Sequence, residues 1–338
     1  MKRRVSGQTV TIKDVALTAG VSVATVSYVL TGNRRVKEST RERIQAAMRR
    51  LGYRRNRVAG ALRARRTYTL GLLVPDITNP YFPDLVQGAE RAAAEKGYGV
   101  LLCDSRMDWD WTRRYIEFML EHRVEGISLA QGVTAEIARL LEQARVPTCL
   151  CSTQAPDFSC SSVEIDFCAG MRQALEHLFH LGHRLIGCVG TRLEYNCPRL
   201  HSFLKVMAEF GLPAEKFQLI ETELLQPQDA EGIVQQLRSS PRPPTALVGA
   251  NDILSLEIIS VARQAGLKVP EDLSVIGTDD ILLASRSSPA LSTLAFPRFE
   301  MGATAIRVLL EYPTKGPQHV VFTPNLVVRQ SSGPAPKK

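Results

Sequence analysis

TIKDVALTAGVSVATVSYVLTGNRRVKESTRERIQAAMRRLGYRRNRVAGALR, residues 11–63, decides the fold of the amino-terminal part of this chain. It reads as three short helices followed by a basic, Leu-tipped fourth. Thr11 with Asp14, and Ser39 with Glu42, fit the S/T-x-x-D/E spacing of a capping box, in which side chain and backbone satisfy each other's orphan groups at a helix start. Ala19-Gly20-Val21 supplies a tight turn, and Ser22 is placed to cap a second helix running to about Leu30. That pair is a helix-turn-helix, whose second member lies in the DNA major groove. Ile12, Val15, Val21, Val26, Val29 and Leu30 can then face inward. A third helix offers Ile44, Ala47, Met48 and Leu51 at i, i+3, i+4 and i+7 and ends at Gly52.

Charge sets this segment apart. Residues 1–66 hold 17 Lys and Arg against 3 acidic residues, whereas residues 67–338 hold 25 against 31. The local excess is suited to phosphate neutralisation with counterion release, hence to salt-dependent affinity for DNA. At 338 residues and 44% apolar content the chain is sized for two or three globular domains. No apolar run reaches membrane-spanning length. Met1 to Arg4 looks like the basic start of a signal peptide, but VSGQTVTI behind it is too polar for an apolar core, so a cytoplasmic protein is expected. Seven cysteines without a C-x-x-C pair suggest neither a disulfide framework nor a zinc site. Cys103, Cys149, Cys151 and Cys188 fall in strand-like runs and are expected to be buried thiols. His177, His180 and His183 invite a metal reading, yet Gly182 should end their helix before His183 can share a face, so no metal is expected.

From Tyr68 onward, short apolar runs alternate with amphipathic segments. Strands are predicted at Leu70–Val74, Val100–Cys103, Gly126–Leu129, Thr148–Cys151, Leu185–Val189, Gln218–Ile220, Ala246–Val248 and Ser274–Ile276. Helices are predicted around Leu85–Glu95, Ala169–Leu181, Gly232–Leu237 and Leu254–Gln264. The alternation means βαβ units, and the strands are too many for one comfortable sheet. Two doubly wound parallel-sheet subdomains follow, with ligands beyond the carboxyl ends of the strands. An enzyme on such sheets would need a phosphate loop or a nucleophile motif. G-x-G-x-x-G, G-x-x-x-x-G-K-[ST] and G-x-S-x-G are all absent, and Gly187 to Gly190 opens into TRLEYN. No catalytic residue and no cofactor are therefore assigned. An extracytoplasmic solute receptor would share the fold, but not the basic headpiece.

TIKDVALTAGVSVATVS, TRERIQAAMRRLGY and NRVAGAL resemble the headpiece of the LacI (lactose repressor)/GalR-type regulator family nearly position for position. The resemblance continues through GLLVPDITNPYF, LGHRLIG, AND and GLKVPEDLSVIGTDD to about residue 330. It implies an all-α helix-turn-helix headpiece (1–53), a hinge helix and linker (54–66), and an α/β core resembling periplasmic binding proteins (67–331). The core's N-subdomain would take about 67–165 plus 295–323 and its C-subdomain about 166–294 plus 324–331, the chain crossing near 165, 294 and 324. Residues 332–338 are expected to be a disordered tail. The implied partners are double-stranded DNA with a palindromic operator, a small-molecule effector and a second copy of the chain.

On the DNA side, Val23 and Ala24 begin the recognition helix and can meet thymine methyls, while Thr25 and Ser27 can reach bases or phosphates. Tyr28 stands where the family places Arg. It is either a weaker base reader or a ring packed on the headpiece. Thr11, Ser22, Asn33 and Tyr53 join the DNA-facing set. In the hinge, Asn56 can cap a helix carrying Ala59, which joins the DNA-binding set, Arg57 can clamp a phosphate, and the resemblance makes Leu62 a minor-groove wedge. Gly60 weakens that helix by about 1 kcal/mol relative to Ala. In the cleft, Tyr81 and Phe82 match aromatic positions that line the family's effector pocket. Arg199, Asn251 and Asp279 match its polar positions, with an interlobe ion pair as the other reading of Arg199. Ser152 replaces a frequent Asp, Phe167 stands where DN is frequent, and Phe296 stands where Gln or His usually precedes the Pro. A sugar or sugar derivative is expected, with a purine or other flat metabolite as the alternative.

Overall fold

The computed structural model describes residues 10–31, 35–53, 66–151, 158–191, 198–212, 218–222 and 226–337. Two compact units divide the chain at residue 67. In the first, α1 (Ile12–Ala19), α2 (Val23–Thr31) and α3 (Glu38–Leu51) surround Val15, Ala16, Ala19, Val26, Ile44 and Ala47, all buried. Ile12, Val21, Val29, Leu30, Met48 and Leu51 pack around that centre. Local chemistry fixes the helix ends. Thr11 donates to the Asp14 carboxylate through its N–H (2.8 Å) and its hydroxyl (2.9 Å). Ser22 Oγ accepts from Thr25 N–H at 3.1 Å. Gly20 and Gly52 stop α1 and α3 in the left-handed region, at φ 62° and 63°, where a side chain would be strained.

The Ser39–Glu42 capping box is not made. Helix α3 begins two residues earlier than a Ser39 cap would set it, at Glu38, with Lys37 as its cap residue. Glu38 in the first turn complements the helix dipole and pairs with Arg41 at 3.5 Å, which favours the earlier start.

The second unit holds two six-stranded sheets. In the N-lobe, β1 (Thr69–Val74), β2 (Gly99–Asp104), β3 (Ile127–Leu129), β4 (Thr148–Cys151), β5 (Ser161–Ile165) and β11 (His319–Phe322) lie in the order β11-β5-β4-β3-β1-β2, all parallel. In the C-lobe, β6 (Ile186–Thr191), β7 (Leu219–Thr222), β8 (Ala246–Val248), β9 (Ser274–Asp279), β10 (Ser292–Ala295) and β12 (Asn325–Val327) lie in the order β12-β10-β9-β8-β6-β7, with only β12 antiparallel. Helices α4 (Tyr81–Glu95), α5 (Trp109–Glu121), α6 (Ala135–Ala144) and α12 (Arg298–Lys315) belong to the first lobe. Helices α7 (Phe167–His180), α8 (Pro198–Glu209), α9 (Ala230–Ser239), α10 (Asp252–Gln264) and α11 (Leu282–Arg286) belong to the second. The chain passes between sheets after β5, after β10 and after β11, so each lobe is built from discontinuous segments.

Strands β5, β10, β11 and β12 were absent from the pattern reading. SSVEI and STLA hide their apolar signal because Ser161, Ser162, Ser292 and Thr293 are buried polar residues. Their hydroxyls are satisfied by partners far along the chain, for instance Ser162 with His319 Nδ1 at 2.8 Å and Thr293 with Asp252 at 2.6 Å. The other two strands are sheet edges with little buried surface.

The expected disordered tail is instead docked through Ala335. Val275 N–H donates to Ser331 O at 2.7 Å, Gly333 N–H to Ser274 Oγ at 3.0 Å and Ala335 N–H to Leu181 O at 2.8 Å. Ser332 meets His177 at 2.9 Å, and Gly333 O meets buried His183 at 3.0 Å. A Pro-rich composition reads as linker, but here backbone groups find partners on the C-lobe.

Candidate DNA-reading surface and effector cleft

In the headpiece, α2 starts at the Ser22 cap and exposes Val23 and Ala24, the residues expected at base edges. The Thr25 hydroxyl lies 2.8 Å from Ser22 Oγ, so part of its hydrogen-bonding capacity is used locally. Ser27 and Tyr28 are half-buried, and Thr11 is exposed at the start of α1. Tyr53 packs against the headpiece core while its N–H bonds Met48 O at 2.9 Å, so its ring also serves the fold. Asn33, Asn56, Arg57, Ala59 and Leu62, the hinge helix and Ser152 lie outside the described residues.

In the core, the carboxyl ends of the strands bring Tyr81, Phe82, Phe296, Arg199 and Asp279 to the junction of the lobes. Asn79 Oδ1 accepts from Tyr81 N–H at 3.0 Å and sets the start of α4. The Tyr81 ring, 7% exposed, meets Phe82 edge-on at 5.0 Å and Phe296 at 6.3 Å. Phe296 in turn meets Phe167 at 6.1 Å, and the Arg199 guanidinium stands 4.9 Å over the Phe167 ring. Four aromatic rings from α4, α7 and the β10–α12 crossing therefore join the two lobes. An Arg over a desolvated aromatic face adds a cation–π attraction of about 0.5–2 kcal/mol.

Asp279, 5% exposed, ends β9 at φ 125°, a strained conformation for a residue with a side chain. Burial is the chief cause of a carboxyl pKa well above the usual range. Asp252 adds to the rise, while Arg199, Arg298 and a hydrogen bond from the Asp252 backbone oppose it. Burial, with Asp279 nearby, likewise pushes the Tyr81 phenol upward, so the phenol stays protonated and can donate a hydrogen bond.

Asn251 and Asp252 are both engaged by the fold. Asn251 Oδ1 caps α10 through Leu254 N–H at 2.8 Å, which commits that oxygen to the fold. Asp252, fully buried, accepts from Thr293 Oγ1 at 2.6 Å and Ile281 N–H at 2.9 Å; burial raises its pKa to about 6. Asp280 pairs with Arg329 at 2.6 Å. The short side chain at the first helical position reaches back into the sheet, and the preceding Asn takes the cap. Sequence reasoning noted Phe167 only as a departure and missed Arg298. Nothing in FPRFEMG signals that the guanidinium reaches Asp84.

Comparison with known proteins agrees with both halves. A profile described as "Bacterial regulatory proteins, lacI family" matches residues 11–56, and one described as "Periplasmic binding protein-like domain" matches residues 175–332. The HTH-type transcriptional regulator DegA of Bacillus subtilis (strain 168) is 35% identical over 96% of this chain and 98% of its own length. Catabolite control protein A of Priestia megaterium is 34% identical over 90% of this chain and 93% of its own. Among solved structures, the lac repressor dimer bound to operator and an anti-inducer superposes with a TM-score of 0.85 at 26% identity, covering 96% of this chain and 100% of that one. The transcriptional regulator CelR in complex with cellobiose superposes at 0.71 and 26% identity, covering 95% and 99%. These relatives are transcriptional regulators, not enzymes. With a DNA-reading headpiece and a two-lobed core, this chain belongs to the LacI family of bacterial transcriptional repressors.

Proposed function

We propose that this protein is a cytoplasmic homodimeric repressor that holds a palindromic operator and responds to a sugar or sugar derivative bound between its lobes. The observation that carries the effector reading is the ring cluster of Tyr81, Phe82, Phe167 and Phe296 beside Arg199 and the buried Asp279. Aromatic faces cover the C–H faces of a pyranose, while a few convergent polar groups fix its hydroxyls. CelR, a relative in fold, is recorded with cellobiose, which supports a carbohydrate. The same rings would also hold a purine or another flat metabolite, the second reading. A thermal-shift screen of the full chain against sugars, sugar acids, sugar phosphates and purines tests this, since a specific ligand raises stability by mass action. A shift by purines alone overturns the carbohydrate reading.

Dimerisation has its own support. Met107, Trp109, Trp111 and Phe118 are exposed on or beside α5, and Leu282 and Leu283 on α11, apolar side chains that a second copy of the chain would cover. Two headpieces related by a twofold axis would meet the two halves of a palindrome. Sedimentation equilibrium of the full chain and gel shifts on a selected oligonucleotide library are the tests. A monomer, or sites without dyad symmetry, would overturn this arrangement.

A further inference from the structure

Arg298 is the first residue of α12, directly after the β10–α12 crossing, and its side chain is 14% exposed. Its Nε (3.1 Å) and Nη2 (2.7 Å) both donate to Asp84 Oδ2 on α4 of the N-lobe, while Nη1 donates to the backbone carbonyl of Asp279 in the C-lobe. The planar guanidinium thus spans the lobes with separate edges committed to each. Asp84 and Arg298 cannot readily move apart, because α4 and α12 are in glycine-mediated backbone contact. A Cβ at Gly88 would fall 1.9 Å from Phe299 O, and one at Gly302 1.9 Å from Leu85 O. The contact able to open is the one to Asp279, a strained residue whose carboxyl lies in the effector cluster.

We propose that Arg298 is a positioning residue that latches the two lobes, with Asp84 as its anchor, so that movement of the Asp279 backbone is passed to α4. This rests on Asp279 belonging to the effector site and goes beyond that reading by naming the element that reports its state. A ligand that turns the Asp279 peptide weakens or strengthens one hydrogen bond, and the rigid α4–α12 pair converts that change into a shift of the N-lobe. Two-state packing of this kind gives coupling a physical carrier.

The test uses the full-length protein without ligand or DNA. Spin-labelled unnatural residues replace exposed Glu142 on α6 and exposed Glu257 on α10, and labelled chains are diluted with unlabelled chains so that only distances within one chain are read. Wild type should give one narrow interlobe distance distribution. Arg298→Gln should add a longer-distance population. Asp84→Asn should shift the distribution in the same direction, and the double variant should go no further than Arg298→Gln alone. Arg307→Gln, on the same helix and bonded to Thr304 of that helix, should match wild type. An unchanged distribution in Arg298→Gln, even with a lower Tm, would show a role in packing only and overturn the latch. So would additive effects of the two variants, or an Asp84→Asn protein identical to wild type. Because no effector is used, failure here and failure of the carbohydrate assignment are separate results.

Discussion

The headpiece and the lobe junction are built on opposite principles. Every contact that defines the headpiece lies within about forty residues along the chain, and its caps span three positions. At the junction, Arg298 reaches Asp84 across 214 positions and Tyr81 approaches Met301 across 220. A local unit can be read from spacing and caps. A junction assembled by three chain crossings cannot, and it is also where a small displacement reaches both lobes.

The comparison breaks most sharply at Ile44, fully buried in a headpiece centre of six residues. Ile44→Ala should cost about 2–5 kcal/mol, enough to unfold so small a unit. Calorimetry of the full chain should then lose the headpiece transition and keep that of the core, with operator binding abolished. A parallel drop in core Tm would mean that the two units are not independent.

Gly302→Ala probes the other side. A methyl 1.9 Å from Leu85 O forces α4 and α12 apart, an overpacking cost of about 1–3 kcal/mol. Core Tm should fall while the headpiece melts normally. An unchanged core would mean that the helices separate without strain.

Ser22→Ala removes the Oγ that accepts from Thr25 N–H, at a cost of about 1 kcal/mol to the headpiece. Gel shifts should weaken on all operators in proportion, with site preference retained. A changed preference would show that Ser22 also reads a base.

The smallest effect concerns acidity. Burial is the largest cause holding the His177 and His183 imidazoles below their ordinary value of 6.5. The unfolded chain therefore takes up protons that the folded core refuses, and core stability should decline as pH falls through 6.5. Asp252, raised to about 6, and Asp279, raised well above the usual carboxylate range, act in the opposite sense, so the histidine contribution is read from the difference between wild type and a histidine variant. Between pH 8 and 6 the core Tm of wild type should decline relative to that of His183→Gln. An equal slope in that variant would assign the loss elsewhere.

The helix-turn-helix, its Gly stops, eight of the twelve described strands and the two-sheet alternation were legible in the sequence, because caps, turns and hydrophobic period are local properties. Tyr81, Phe82, Phe296, Arg199 and Asp279 were also legible, by resemblance. What only the tertiary structure decided was how polar groups are shared. Asn251 rather than Asp252 caps α10, and Ser161, Ser292 and the Ser331–Ala335 strap lie where long-range partners satisfy them. Arg298 meets Asp84 and Asp279 because two rigid helices and a chain crossing place them there. A hydrogen bond between distant residues leaves no period in the sequence: its donor and acceptor become neighbours only once the sheets have packed.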